Sequence, residues 1–376
     1  MASETMTRRS FARSLVAGVP MLRVIGAGRV SETVAAASGR SPDKEWSHFD
    51  KPEDAGFSSS ALQAVEQTLY PLPTTSLLVV KQGRVVYRYG DASQVSYLAS
   101  ARKSVLSMLY GKYVANGTIN LERTIGDVGI EEPGRLLAIE KRATIRSLLT
   151  ASSGVYYPAG SPGGADATPP RGSKEPGTYF LYNNWDFNVA GVAFEKLTGK
   201  TVFQALESDL AEPLQFQDFD LSRQRMLGYD DPKTSRYKAY HLFLSGRDMA
   251  RLGVLMLNGG AWNGKQVVPA PWVAESTKRR VRAIDMAARS ESGYGYLWWL
   301  PADTRTGAEW VGSYLANGNF GQYLLCLPAI DTVIVHRRAV TDEFAVARNL
   351  GQTNAAPAGG AVDFLKIADA IVAART

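Results

Sequence analysis

The two ends of the chain read as β-hairpins and the long stretch between them does not, which obliges distant segments to meet in one sheet. Near the start, "SLLVVKQGRVVYRYG" (76–90) is a pair of β-branched strands turning at Gln82-Gly83. Near the end, "GQYLLCLP" and "DTVIVHRR" (321–338) form a second hairpin through Ala329-Ile330. Strand-like "GYGYLWWL" (293–300) and "EWVGSYLANG" (309–318) precede it. Hairpins impose antiparallel pairing. The intervening sequence changes to helical spacing at "SARKSVLSMLYGKYVANG" (100–117), "TIRSLLTASSG" (144–154), "NNWDFNVAGVAFEKLTG" (183–199) and "SGRDMARLGVLMLNGG" (245–260). Ser245 stands as N-cap of the last, and "AVDFLKIADAIVAART" (361–376) closes the chain as an amphipathic helix. The expected class is α+β: an antiparallel β-sheet built from both chain ends and flanked by helices. A mainly helical subdomain over roughly 104–240 would be inserted beside it. Residues 156–178, rich in Gly, Pro and Ser, are expected to form a long surface loop.

The formal charge of +6 does not point to nucleic acid, because half of it lies in the first 37 residues and no basic stripe with interleaved aromatics follows. Those residues resemble a twin-arginine export signal. Thr7-Arg8-Arg9-x-Phe11 leads into a moderately apolar stretch, and Ala35-Ala36-Ala37 suits a cleavage site. A disordered basic tail is the plainer alternative. Residues 1–40 are therefore set aside as signal and linker, and 41–376 as the folded domain. Export would place the protein in the periplasm or outside the cell. No run of 18 apolar residues offers a stable membrane anchor. The single cysteine, Cys326, excludes an internal disulfide and is expected to be a buried small hydrophobe. Oligomeric state is not legible.

Hydrolytic chemistry is reached by elimination. There is no G-x-S-x-G elbow, no H-E-x-x-H, no P-loop and no strand-linked G-x-G-x-x-G. His48, His241 and His336 share no short spacing; a Ser-His-Asp triad is not excluded, but nothing in the sequence supports one. What is left is Ser-x-x-Lys. On a helix, Ser100 and Lys103 share a face, so the amine can approach the hydroxyl one turn away. A serine hydroxyl needs such a base or cation to attack a carbonyl. Burial at the positive end of a helix would lower the lysine's proton affinity. The backbone N–H of Ser100 would serve as one oxyanion donor. The same spacing recurs at Ser41–Lys44 and Ser235–Lys238, so the motif alone leaves Ser100 either a nucleophile or a helix cap.

Tyr182-Asn183-Asn184 adds a second feature, the chain's only Tyr-x-Asn. A phenol near two cations can lose its proton and act as general base and then acid. An asparagine two residues on can hold Lys103 and a substrate carbonyl. The plainer reading makes Tyr182 a half-buried aromatic and Asn184 a cap. Tyr179 competes with Tyr182 but has no asparagine at +2. Trp298 and Trp299 are expected in the core and the cleft wall, and Ser107 in packing or on the surface.

With both motifs in place, the sequence resembles the serine β-lactamase and penicillin-binding-protein superfamily. It is most similar to the class C-like branch of esterases and nylon-oligomer (6-aminohexanoate-dimer) hydrolases. Ser100-Ala101-Arg102-Lys103 matches the first motif and Tyr182-Asn183-Asn184 the second. "LLTASSG", "RDMARLGVLMLNGGAWNGKQVVP" (247–269) and "GNFGQYLLCLPAIDTVIV" (318–335) follow the same branch in order and spacing, so the likeness spans roughly 50–375. The third motif departs. Where the family has Lys-Thr-Gly, this chain has Ala316-Asn317-Gly318. The glycine is kept and would let substrate lie against the strand, and the backbone N–H of Asn319 would be the second oxyanion donor. The missing lysine and threonine put β-lactam and D-alanyl-peptide turnover in doubt. The resemblance implies a serine hydrolase acting through a Ser100 acyl-enzyme; the neutral strand edge suits a small ester or simple amide, and the twin-arginine pattern would make it secreted. Its catalytic residues would be Ser100, Lys103 and Tyr182. Asn184, Gly318 and Asn319 would contact substrate, and no metal or organic cofactor would be required. A β-lactamase or DD-peptidase is the first alternative, and a non-catalytic binding or scaffold protein of the same fold the second.

Overall fold

The computed structural model describes residues 41–161, 168–229, 231–286, 290–349 and 361–376. The twin-arginine pattern and the expected cleavage site lie outside these residues. Helix α1 (Ser59–Leu69) is capped by the Ser58 side chain, which accepts from the Ala61 N–H. It leads into strands β1 (Ser76–Lys81) and β2 (Arg84–Gly90). Gln82 and Gly83, with φ of 52° and 72°, make the tight turn between them, the backbone that a two-residue hairpin needs.

The helical stretch supplies α2 (Arg102–Ala115), α3 (Asn184–Thr198) and α4 (Gly246–Leu257). Ser245 caps α4 as expected, its side chain accepting from the Asp248 N–H. Five further strands follow. β3 (Gly293–Tyr294) and β4 (Trp299–Leu300) replace the single strand expected over 293–300, because Leu297 takes φ of 62° and reverses the chain. β5 (Tyr314–Gly318) is shorter than its apolar pattern, which begins in a 3-10 turn at Ala308–Trp310. β6 (Gln322–Leu327) and β7 (Thr332–Arg337) form the second hairpin. Helix α5 (Ala361–Ala373) closes the chain.

The seven strands make one antiparallel sheet in the order β2-β1-β7-β6-β5-β4-β3. β1 pairs with β7, Ser76 opposite Arg337, which joins the two ends of the chain. Alternation along the central strands sorts the core into two layers. Leu77, Val79, Leu325 and Ile334 face α1 and α5, packing on Leu62, Val65, Phe364 and Ile367. Leu78, Val80, Leu324 and Val335 face the other way, onto α2, α3 and α4. Cys326 lies in this second layer, fully buried, its Sγ 3.7 Å from the Gly253 carbonyl oxygen. Gly253 lets α4 press on the sheet: a Cβ there would sit 2.5 Å from Val333 Cγ1 and 2.8 Å from Leu324 Cδ1.

The expected surface loop is only partly on the surface. Tyr156 and Tyr157 are buried, and the carbonyls of Pro158 and Gly160 accept from the N–H groups of Ser235 and Tyr229. Among the described residues, no helix is long and apolar enough to cross a membrane.

Candidate active site

Ser100 stands on a strained turn. The short strand Ser96–Tyr97 pairs with Phe243–Leu244, and the Leu98 N–H bonds the Leu242 carbonyl at 2.9 Å. Ala99, with no freedom from a missing Cβ, then takes φ of 48°. A 3-10 turn over Ala99–Ala101 runs into α2, so Ser100 precedes the helix and Lys103 falls in its first turn. No side chain caps either segment, so the helix-cap reading of Ser100 does not hold. An outlier of this kind persists only where surrounding structure over-determines it, and such outliers cluster at functional sites.

Lys103 is the centre of the constellation. Its amine is buried and hydrogen-bonds Ser100 Oγ at 2.9 Å, the Tyr182 hydroxyl at 2.7 Å and Asn184 Oδ1 at 2.8 Å. The three partners come from two elements, because Tyr182 and Asn184 flank the start of α3. Asn183, between them, is the actual N-cap; its side chain accepts from the Trp185 N–H and donates to the Val155 carbonyl. With Asn183 as the cap, the Asn184 side chain is turned to the lysine. The two other Ser-x-x-Lys pairs are occupied otherwise: Ser235 Oγ bonds Glu132, and Ser41 Oγ accepts from the Asn263 N–H.

The electrostatics divide the proton work. Burial, reinforced by the Arg102 guanidinium, holds Lys103 well below the ordinary lysine range. Burial pushes the Tyr182 phenol up to about 12, against the opposing effects of the Ser100 hydrogen bond and Arg102. Desolvation thus favours the protonated phenol, against the pull of the nearby cations. An ammonium would donate along all three Lys103 contacts. A neutral amine donates along two and accepts from the Ser100 hydroxyl along the third, which is the arrangement for taking that proton.

A cavity of about 150 Å³ opens over Ser100. Tyr182, Asn184, Trp299, Asn317 and Asn319 line it with the serine. Trp299 forms a wall, its ring 5.2 Å from that of Tyr182, while Trp298 is fully buried. Tyr179 faces a different cavity, with Lys174 over its ring at 4.9 Å. Ser107 is buried in packing. Gly318 is not in the lining but sets how closely β5 meets the nucleophile turn. A Cβ on it would lie 2.4 Å from the Leu98 carbonyl oxygen and 2.9 Å from the Ala101 nitrogen. Ala316, where the resembling family carries its lysine, is buried and apolar.

Among the lining residues that the sequence did not mark as part of the site, two carry ionisable groups of consequence. Arg102 is buried on the cavity floor, and His241 stands in its wall, stacked 4.5 Å from Tyr97. His241 Nδ1 is 2.9 Å from Asp342 Oδ2, and burial lowers its proton affinity against that carboxylate's pull. Arg225 braces Asp342 from behind at 2.9 Å. The partners are 101 residues apart, a separation at which no local motif could have signalled the pair. No hydrogen bond links His241 to Ser100, whose Oγ is engaged by Lys103 and Tyr182.

A profile of the Beta-lactamase family matches residues 62–342, three quarters of the chain and every residue of the lysine-centred group. The chain belongs to the beta-lactamase family. Solved structures share its fold at low identity. A protein described as a 6-aminohexanoate-dimer hydrolase from Bacillus anthracis is 20% identical, with a TM-score of 0.56 over 84% of this chain and 88% of that one. EstCE1, a hydrolase with promiscuous acyltransferase activity, is 15% identical, with a TM-score of 0.57 over 85% and 99%. A penicillin-binding-protein homologue from Caulobacter crescentus is 17% identical, with a TM-score of 0.54 over 75% and 92%. No curated protein matches the chain. This member of the beta-lactamase family keeps the serine-hydrolase fold and carries Ala316, buried and apolar, on β5 where the resemblance would put a lysine.

If Lys103 works as the base, the pH dependence of kcat/KM follows from its environment. Activity needs the neutral amine, so it is complete above the folded-state pKa and falls as pH drops through it. Because burial and Arg102 lower that pKa, the acid limb should lie well below the ordinary lysine value. Arg102→Gln removes one lowering influence and should move the limb to higher pH, which a pH–rate profile of both proteins reads directly.

Proposed function

We propose that this protein is a serine hydrolase that cleaves carboxylic esters or simple amides through a Ser100 acyl-enzyme. The observation that carries the reading is the single amine of Lys103 within 2.9 Å of Ser100, Tyr182 and Asn184. Attack begins as the Ser100 hydroxyl passes its proton to Lys103 and Oγ bonds the substrate carbonyl carbon. The carbonyl oxygen becomes an oxyanion, received by the backbone N–H groups of Ser100 and Asn319, residues that share the cavity. When the tetrahedral adduct collapses, Tyr182 gives its proton to the departing alcohol or amine and regains one from Lys103. Water then attacks the acyl-enzyme, its proton returning along the same path, and Ser100 is restored with release of the acid.

The neutral edge at Ala316-Asn317-Gly318 supports esters and simple amides over β-lactams, as does the resemblance in fold to EstCE1 and to the 6-aminohexanoate-dimer hydrolase. The twin-arginine pattern at residues 7–11 supports export to the periplasm or beyond. A panel of p-nitrophenyl esters, anilides and a chromogenic cephalosporin tests the substrate class. We expect kcat/KM for short esters to exceed that for the cephalosporin by about 10²-fold or more, since a β-lactam carboxylate directed at β5 meets Ala316 and loses the charge-assisted bonds a lysine there would give. A faster cephalosporin would overturn the reading in favour of a β-lactamase.

A further inference from the structure

Arg102 is a buried cation that no carboxylate among the described residues pairs with. Its side chain is 3% exposed and lines the cavity beside Ser100. Its guanidinium makes two long hydrogen bonds, 3.4 Å to the Ala99 carbonyl oxygen and 3.3 Å to Asn188 Oδ1, and Nε has no partner. Tyr240 lies under it, with the ring centroid 4.9 Å away. No carboxylate of a described residue pairs with it. Two other buried arginines also leave Nε without a partner, but Arg251 is held by three backbone carbonyls and Arg337 by Ser96 and Met249, and neither lines this cavity.

The position compounds the cost. Arg102 is the first residue of the 14-residue helix α2, where the peptide dipoles already present positive charge and a cation is disfavoured. Lys103 follows it immediately. A desolvated guanidinium at that end of a helix, flanked by a second amine, is complementary to one kind of occupant, an anion in the cavity.

We propose that Arg102 receives a carboxylate of the substrate, so that the preferred ester or amide is acidic and carries its charge on the floor of the Ser100 cavity. The charge that the β5 edge no longer binds, with Ala316 in place of a lysine, is bound instead from the nucleophile's own helix, a different wall of the site. The proposal rests on the hydrolase reading above and narrows it from esters and amides generally to those bearing a carboxylate near the scissile bond.

Matched substrates test it. In one pair the acid side differs: p-nitrophenyl hexanoate against the mono-p-nitrophenyl ester of adipic acid. In the other the leaving group differs: phenyl hexanoate against 4-carboxyphenyl hexanoate. The wild type should prefer the carboxylate member of one pair by about tenfold or more in kcat/KM, and Arg102→Gln should abolish the preference. The ratio within each variant is the readout, since the substitution also alters the surroundings of Lys103. Equal rates in both pairs, or a preference that survives in Arg102→Gln, would overturn the proposal. Should that variant fold poorly, titration calorimetry of adipate and of 1,6-hexanediol into the wild type and Ser100→Ala decides the same question without turnover. Adipate should bind both proteins at least about tenfold more tightly than the diol, and equal affinities would overturn the proposal. Because calorimetry does not need the serine, loss of all hydrolysis with adipate binding intact would refute the hydrolase reading alone.

Discussion

Lys103→Ala should lower turnover of a p-nitrophenyl ester by about 10³-fold or more while leaving the fold intact. The amine is bonded to Ser100, Tyr182 and Asn184 at once, so its removal takes away the base and the bridge between nucleophile and phenol together. Tyr182→Phe removes the proton donor from the same chain and should cost about 10²-fold or more. The double variant should be barely slower than Lys103→Ala alone, because residues that act as a unit do not contribute independently. Steady-state kinetics on the three proteins, with circular dichroism to confirm folding, checks this. Effects that multiply would mean that Lys103 and Tyr182 act on separate steps. An active Lys103→Ala would require another base, and His241 lines the same cavity.

Gly318→Ala should be the second severe change, and for a steric reason. The added methyl would meet backbone on the facing turn, 2.4 Å from the Leu98 oxygen and 2.9 Å from the Ala101 nitrogen, and neither can rotate away. The turn and the strand must separate, which moves Ser100 relative to the Asn319 N–H. A displacement of about 1 Å at such a site costs about 10²-fold in rate. Overpacking of this kind destabilises by about 1–3 kcal/mol. The expected result is therefore a collapse in kcat out of proportion to the change in urea midpoint. A variant with normal kcat would show that β5 does not need its close approach to the nucleophile turn.

Much of this was legible in the sequence because it depends on short-range pattern. The β-branched runs at 76–90 and 321–338 announce their hairpins, and the union of the two chain ends follows once both must share a sheet. Ser100, Lys103, Tyr182 and Asn184 were singled out by two short motifs taken together with the family resemblance, and the structure brings their side chains together around Lys103. The split of 293–300 into two strands was not, since it hinges on Leu297 adopting a backbone region that its side chain disfavours. Asn183 and not Asn184 is the cap, a difference of one residue that no composition rule resolves. The inward turn of a stretch rich in Gly and Pro depends on distant partners, Ser235 and Tyr229, which donate to the Pro158 and Gly160 carbonyls. Arg102 and His241 carry no motif at all. Arg102 takes its meaning from the lack of a described carboxylate beside it, and His241 from a pairing with Asp342 that only the fold creates.

The mechanism stands or falls on Ser100 being the residue that becomes acylated. The sharpest test is a fluorophosphonate probe applied to the purified protein, followed by proteolysis and mass spectrometry. We expect one phosphonylated residue, Ser100, with labelling abolished in Ser100→Ala and strongly slowed in Lys103→Ala. Label on another residue, or equal labelling of the wild type and Ser100→Ala, would contradict the mechanism.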